Sequence, residues 1–425
     1  SGDWSSDVCS SDLTMVNPQT KNSQMTFYPS FTSIPVEKWA EDGIRTRRIR
    51  IYPSRQQRKI LREWIHTTRY VYNRCVHHLK TVKDSKWDHS YLKSLFITHK
   101  SRSGQINQNL TEWELKTPKH VRDGAVRDLL KGYTNAVKRC KKGSIARFNM
   151  RYRKRNKNSA IVIPKNSVRV ENGKLRMFPR SLPELIRTSR DKSVQNLVID
   201  HDCRLQYKFG KWYLAVPIKV KYSPETGLKK GVASLDPGVR TFQTIYNEEE
   251  VTQVCHNREL LRRIQCKLDK FRSLRAKKVI GSSHYKRRTR RLYERLYNLT
   301  DELHYKTISH LCENYRLILI PIFESQEMGM RSKNRYMNRE MFQLQHYKFR
   351  QRLSERCGVE KYTSMVVVSE AHTSKTCSSC GNYNSNLGAS SKYSCVKCDL
   401  SCDRDVNASK NVLIRYCRYH SLSNK

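Results

Sequence analysis

Acidic side chains are scarce in this chain of 425 residues: 38 Asp and Glu stand against 83 Lys and Arg, a formal net charge of +45. Such a surface calls for a polyanionic partner, and a nucleic-acid backbone rewards it through counterion release. Basic structural proteins of the ribosomal or chromatin kind share this balance, but they are usually shorter and rarely carry several acidic motifs on apolar strands. Long apolar runs are missing too. None approaches the roughly 18 residues of a membrane helix, and no charged-then-apolar signal peptide opens the chain, so a soluble, intracellular protein with no membrane partner is expected. Cysteine is not dense: of 14, ten are scattered and four clustered, which excludes a small secreted disulfide scaffold and fits a reducing compartment. No internal repeat is found. The opening S-G-D-W-S-S-D-V-C-S-S-D-L is Ser- and Asp-rich, unlike the basic chain after it, and lacks an initiator Met. Residues 1–43 are therefore set aside as a leader, partly non-native or disordered, with Met15 or Met25 as the expected native start.

The length allows two to four domains with their own cores. From Ile44, I-R-T-R-R-I-R-I-Y alternates as a strand with Ile49 and Ile51 on one face, and Ser54 and Gln57 then have capping-box spacing. The helix that follows carries Ile60, Leu61, Trp64, Ile65 and Val71 at helical intervals. Thr117-Pro118 predicts an N-cap and first helical residue for a second helix through Val121, Val126, Leu129, Leu130, Tyr133 and Val137. That helix runs into residues 138–157, where ten of twenty side chains are basic and none acidic. A solvated face or nuclear-import signal would look the same. Phe148 and Tyr152 interleave as platforms for bases, which favours nucleic-acid contact by Lys138, Arg139, Lys141, Lys142, Arg147, Arg151, Tyr152, Arg153, Lys154 and Arg155.

The pieces SAIVIP, NLVID, LQYKFG and KWYLAVPIKV read as strands of a small barrel that the first strand joins. After a boundary at 229–231, GVASLDPGVRTFQTIY reads as a hairpin, with Pro237-Gly238 at the centre of a type II turn. Leu261, Ile264, Leu268 and Phe271, then Leu292, Leu296, Leu299 and Leu303, mark two amphipathic helices joined around Gly281.

Cys377, Cys380, Cys395 and Cys398 form two C-x-x-C pairs that can close a tetrahedral site for a structural Zn²⁺. Cys402 lies four residues on, but the two pairs are complete without it. Two carboxylates also stand out. Asp236 ends the apolar run V-A-S-L, where a turn-starting Asp is common, and Asp405 lies in a first helical turn where Asp403 is the better cap. Phosphodiester cleavage with two Mg²⁺ ions needs clustered acids, so a third is expected between them in sequence.

The motifs S-L-D-P-G-V, T-S-K-T-C-S-S-C-G, C-V-K-C and D-R-D-V-N-A-x-x-N resemble those of TnpB, the transposon-encoded RNA-guided nucleases, and of their eukaryotic and viral relatives called Fanzor; they are also similar to type V CRISPR effectors. With R-T-R-R-I-R-I-Y-P and R-Y-V-Y-N-R near the start, the resemblance runs from Ile44 to Tyr416. It implies a multidomain α/β protein: an RNase H-like RuvC nuclease domain with helical insertion and zinc ribbon, plus an N-terminal wedge β-barrel with an inserted helical recognition lobe. The implied boundaries are 44–54 and 158–228 for the wedge barrel, 55–157 for the recognition lobe, 229–372 and 403–420 for RuvC with its hairpin insertion at 256–314, 373–402 for the ribbon, and 421–425 for a tail. A guide (omega) RNA, target DNA beside a short adjacent motif, Mg²⁺ at the acids and, for a Fanzor, a nuclear location are implied as well.

In the bacterial members the middle Glu follows an apolar strand with a Met seven residues after it, and setting Met328 there puts Pro321 in the acid's place. Glu324 lies beyond that proline, which ends strand pairing nearby. Glu370 lies two residues after Val368, on that residue's side of its strand, and the Fanzor branch is similar in having a relocated Glu before T-S-K-T-C. The expected triad is therefore Asp236, Glu370 and Asp405, with Glu324 the competitor. A nuclease-dead RNA-guided binder would normally have lost an acid, and a DDE transposase would want a helical Glu last, without a ribbon before it. Ser409-Lys410 and Cys402 depart from the usual family pattern.

Overall fold

The computed structural model describes residues 34–35, 43–100, 104–143, 145–155, 159–189, 192–195, 197–220, 229–323, 325–331, 334–360, 362–369, 371–388 and 390–423. Both glutamates weighed for the middle acid, Glu324 and Glu370, lie outside the described residues. The chain divides into two compact units, one of Ile44–Lys219 and one of Val220–Lys425, to which Ile34–Pro35 also belongs. No helix among the described residues is long and apolar enough to cross a membrane.

The first unit is a seven-stranded, near-closed barrel with helices. Across it run Ser159–Ile163, Cys203–Lys208, Lys211–Val220, Gly43–Tyr52, Ile186–Thr188, Lys174–Met177 and Val168–Glu171. Its curl shows in the core: Ile161 and Ile163 of one end strand share a cluster with Val168 of the other, around Ile49 and Ile51. The helix Arg55–Thr81 starts as expected, with the Gln57 amide donating to Ser54 Oγ at 3.2 Å and the Ser54 amide to Gln57 Oε1 at 2.9 Å. Its first half buries Leu61, Trp64 and Ile65 in the barrel, and its second half buries Val71, Tyr72, Cys75 and Val76 in a separate core with Val126 and Leu129 of helix Lys119–Lys141. Two expectations fail. Pro118, not Thr117, is the N-cap, because the Thr117 hydroxyl is buried and donates to Thr67 Oγ1 at 2.8 Å. The NLVID stretch forms no strand over 197–200; Leu197 and Ile199 pack on the barrel core from irregular backbone.

In the second unit a six-stranded mixed sheet runs in the order Ile34–Pro35, Ser364–Val368, Tyr315–Pro321, Lys230–Pro237, Thr241–Tyr246, Val251–Cys255. Thus a short piece of the segment set aside as leader pairs at the sheet edge, Ile34 with Val367 and Pro35 with Val366. Period-two alternation divides the faces. Ala233, Leu235, Ile318, Ile320 and Met365 point to a core shared with helices Ser282–Asn314 and His346–Val359. Val232, Leu317, Leu319, Val366 and Val368 point to the other side, where Val412 and Leu413 of the C-terminal helix Arg404–Ser423 cover them. The expected helical hairpin is Arg258–Ala276 against Ser282–Asn314, joined through Leu261, Ile264, Leu268 and Leu296, with Gly281 as N-cap of the second helix.

The expected type II turn does not form. Pro237 still pairs with Gln243, the connection runs through 238–240, and Gly238 is absent from the glycines with positive φ. Its value lies in close approach, since a Cβ there would stand 2.8 Å from the Thr241 carbonyl oxygen.

Candidate metal and nucleic-acid sites

Asp236 is half-buried near the end of its strand, directly opposite Thr244. Two residues earlier on the same face, Ser234 donates through Oγ to the Ser409 carbonyl at 2.7 Å, and Ser409 lies one turn after Asp405 on the C-terminal helix. Asp403 caps that helix, its Oδ1 accepting the amides of Asp405 at 2.9 Å and Val406 at 3.2 Å. The Asp405 carboxylate is thereby left for another task. Burial, and after it the charge of Asp403, raises the Asp405 pKa above the ordinary carboxylate value, while Arg240 and Arg404 pull it back. Arg240 follows Asp236 in the hairpin connection, so the hairpin end and the helix start face one another across this corner of the sheet. Thr244 is fully buried there, and its Oγ1 has no hydrogen-bond partner among the described residues.

Register places Pro321 in the same row. Leu319 pairs with Ser234 in the parallel ladder, so two residues on, Pro321 stands level with Asp236; on its other side it pairs with Val368. The ladder toward Asp236 stops at Leu319 and the strand ends at Pro321, as the missing amide hydrogen requires. Val368, two residues before Glu370 in sequence, faces the C-terminal helix. Arg415 of that helix donates to the carbonyl of Ala371, the residue after Glu370, at 2.5 Å.

The four ribbon cysteines converge. Cys377 and Cys398 Sγ are 3.6 Å apart, as are Cys380 and Cys395, and all four sulfurs lie within 4.8 Å of one another. A tetrahedral S₄ site with Zn–S bonds of about 2.3 Å puts its sulfurs about 3.8 Å apart, and disulfides would need about 2 Å, so the spacing fits a shared ion. The Lys397 amide donates to Cys395 Sγ at 3.4 Å and, with the Cys398 amide and the neighbouring thiols, lowers the pKa of that thiol, while the thiols around Cys380 raise its own. Cys402 pairs with Tyr393 in the hairpin of Lys392–Ser394 and Ser401–Asp403 and is not one of the four.

Asn407 and Asn411, the two asparagines of the D-R-D-V-N-A-x-x-N motif, to which no role was given from sequence, tie this ribbon to the helix. Asn407 Oδ1 accepts from the Ser378 amide at 2.9 Å and its Nδ2 donates to the Thr376 carbonyl at 2.8 Å; Asn411 Nδ2 donates to the carbonyls of Thr373 at 2.8 Å and Thr376 at 2.7 Å. The available signal was their place in that motif, a pair of amides one turn apart on the helix.

The basic stretch is not uniform. Lys138, Arg139 and Lys141 end helix Lys119–Lys141, and with Lys142, Arg147, Arg151, Lys154 and Arg155 they are exposed. Tyr152 is exposed too, with Lys80 over its ring at 5.2 Å. Arg153 is engaged within the fold: its amide donates to Asn73 Oδ1 at 2.7 Å, its guanidinium meets Asp128 at 3.2 Å, and it lies 3.9 Å from the centre of the Tyr72 ring. Phe148 packs edge-on against Tyr133 in the helical core, so its ring is structural.

Two family models match. Residues 346–412 match the Cas12f1-like TNB domain, and residues 44–82 match a helix-turn-helix domain, though here that range is one strand followed by one continuous helix. The TnpB-like protein L79 of Acanthamoeba polyphaga mimivirus is 30% identical over 87% of this chain and 73% of its own length. The TnpB-like protein L770 of the same virus is 28% identical, over 87% of this chain and 73% of its own length. The cryo-EM structure of the Cas12f1-sgRNA-target DNA complex is similar at a TM-score of 0.48, with 16% identity over 84% of this chain and 83% of that one. Sequence likeness along most of both chains, with a matched TNB segment spanning the cysteine cluster and the Asp405 helix, shows that this chain belongs to the TnpB family, related to the type V effectors.

Proposed function

We propose that this chain is an RNA-guided DNA endonuclease of the RuvC type. A bound omega RNA pairs with DNA beside a short adjacent motif, and the DNA is cut at a two-Mg²⁺ site held by Asp236, Glu370 and Asp405. The observation that supports this most is the Ser234–Ser409 bond, which joins the Asp236 strand to the Asp405 helix one turn after that acid.

The residues suit a hard cation. Carboxylate oxygens are the ligands Mg²⁺ prefers, and a divalent ion relieves the unfavourable burial of the Asp405 charge beside Asp403. The orphaned Thr244 hydroxyl opposite Asp236 adds a polar group to the same corner. When bound, the ions supply Lewis acidity that activates water and neutralises charge on the scissile phosphate. The chain's own part is placement: a strand paired on both sides fixes Asp236, and the Asp403 cap frees the Asp405 carboxylate. Exposed Lys and Arg of 138–155 hold phosphates without reading bases, while pairing with the guide supplies specificity. Zn²⁺ in the four-cysteine site is structural. The proline in place of the strand glutamate supports placement in the Fanzor branch, for which the site of action is nuclear; outside that branch it is cytoplasmic.

The test is to purify the protein with its bound nucleic acid, sequence any RNA, and challenge the complex with guide-matched DNA carrying a randomised flanking motif. Cleavage confined to matched DNA, dependent on Mg²⁺, supports the reading. Absence of RNA, or equal cutting of unmatched DNA, overturns it.

A further inference from the structure

We propose that Asn407 and Asn411 are positioning residues that couple the four-cysteine ribbon to the acid corner, so that metal held by the ribbon sets the placement of Asp405. The catalytic half of this inference rests on the endonuclease reading; the structural half does not.

Asn407 is fully buried and spends both ends of its amide on the two neighbours of one cysteine. Its Oδ1 accepts from the Ser378 amide at 2.9 Å, its Nδ2 donates to the Thr376 carbonyl at 2.8 Å, and Cys377 lies between them. The backbone that Asn407 grips is therefore the backbone that a metal bound at Cys377 would hold. One turn later Asn411 takes the Thr373 and Thr376 carbonyls at 2.8 and 2.7 Å, and one turn beyond that Arg415 takes the Ala371 carbonyl. The three residues form one stripe down the helix, spaced by four, and bind backbone groups of residues 371, 373, 376 and 378, the segment leading into the first knuckle.

The helix start is held by the ribbon from a second direction. Its N-cap, Asp403, is the last residue of the ribbon strand Ser401–Asp403, itself paired with Lys392–Ser394. Asp405 thus sits between a cap on the second half of the ribbon and an amide clamped to the first half. Metal at the four sulfurs joins those halves. Without it nothing covalent or ionic links Cys377 to Cys398, the knuckle backbone loosens, and the buried Asn407 amide loses partners it cannot replace with water. A ribbon merely docked on the surface would not need both ends of a fully buried amide bracketing a ligand.

The experiment uses the full chain with its bound nucleic acid and compares wild type with Asn407→Ala, Asn407→Asp, which keeps the acceptor and loses the donor, and Asn411→Ala. Metal content is measured by atomic emission, cleavage by kcat and KM separately, and amide exchange in peptides covering 404–412 before and after a mercurial displaces the metal. We expect metal release to speed exchange at 404–412 in wild type and to leave it unchanged in Asn407→Ala. We expect kcat of Asn407→Ala to fall by about tenfold or more, as small misplacements of reacting groups do. KM should stay within about twofold and metal content intact. Asn407→Asp should fall between. Full kcat in Asn407→Ala, or exchange at 404–412 indifferent to metal in wild type, overturns the proposal. If wild type cuts no DNA, the endonuclease reading fails, and the exchange measurement alone decides the coupling.

Discussion

The Ser234 hydroxyl reaches across from the Asp236 strand to the Ser409 carbonyl at 2.7 Å, inside a contact where both residues are fully buried. The apolar surface around it includes Val232, Leu319, Val412 and Leu413. Ser234→Ala should cost about 1 kcal/mol, measured by urea unfolding, because it removes one buried hydrogen bond without opening a large cavity or leaving the helical Ser409 carbonyl without its own partner. Ser234→Val should cost more, since the added methyl groups must fit where a hydroxyl now touches backbone.

Asp405 makes a prediction with a definite sign. Its folded pKa is raised, so the native state holds this proton more tightly than the unfolded chain does. Ionisation therefore destabilises the Mg²⁺-free fold above that raised pKa, and the penalty disappears as pH falls through it. Thermal melting of Asp405→Asn in Mg²⁺-free buffer at neutral pH should occur at or above the wild-type midpoint. Added Mg²⁺ should stabilise wild type and not the variant, and cleavage by wild type should decline at a higher pH than an ordinary carboxylate would give. A variant that melts lower at neutral pH would contradict this assignment.

The middle acid can be located by substitution. Glu370→Ala should abolish cleavage while Glu324→Ala keeps it. Because Pro321 stands level with Asp236 in the register, Pro321→Glu in the Glu370→Ala background should return measurable cleavage. Loss of activity in Glu324→Ala alone, with Glu370→Ala active, would reverse the assignment.

The basic stretch separates into binding and packing residues. Replacing exposed Lys138, Arg139 and Lys142 together should flatten the salt dependence of nucleic-acid binding, by a slope of about 0.7 to 0.9 per lost phosphate contact. Phe148→Ala should instead lower stability by about 3 kcal/mol with little change in that slope, because its ring packs on Tyr133 in a core. Fluorescence titrations over a range of salt, beside denaturant melts, distinguish the two.

What was legible in the sequence followed from short-range rules. The alternation around Ile49 and Ile51, the Ser54–Gln57 capping box, the apolar stripes of the helical hairpin and the cysteine pairs each need only neighbours within a few residues. The failures came where a distant group decided. Thr117 gave up its expected cap to bond Thr67, fifty residues away. Gly238 was read as a turn former, but the Thr241 carbonyl that excludes a side chain there becomes visible only once the hairpin has closed. Leu197 and Ile199 have strand-like chemistry, yet they reach the barrel core without joining a ladder. Asn407 and Asn411 stood in a recognised motif but their role left no trace, since their partners are backbone groups about thirty residues earlier and backbone has no letter in a sequence.

The helix Arg55–Thr81 has a bearing on how this protein could be reduced in size. At 1.5 Å per residue its 27 residues span about 40 Å, and its apolar side chains change allegiance between Ile65 and Val71, from the barrel to the helical core. A cut at its N-terminus would strip the barrel of Leu61 and Trp64. The workable seam lies inside the helix, after Ile65: a shortened protein that keeps the first three turns and rejoins the chain near Ser159 retains Leu61, Trp64 and Ile65 in the barrel interior and gives up only Val121 of that core, whereas one trimmed at residue 55 loses the wall that seals it.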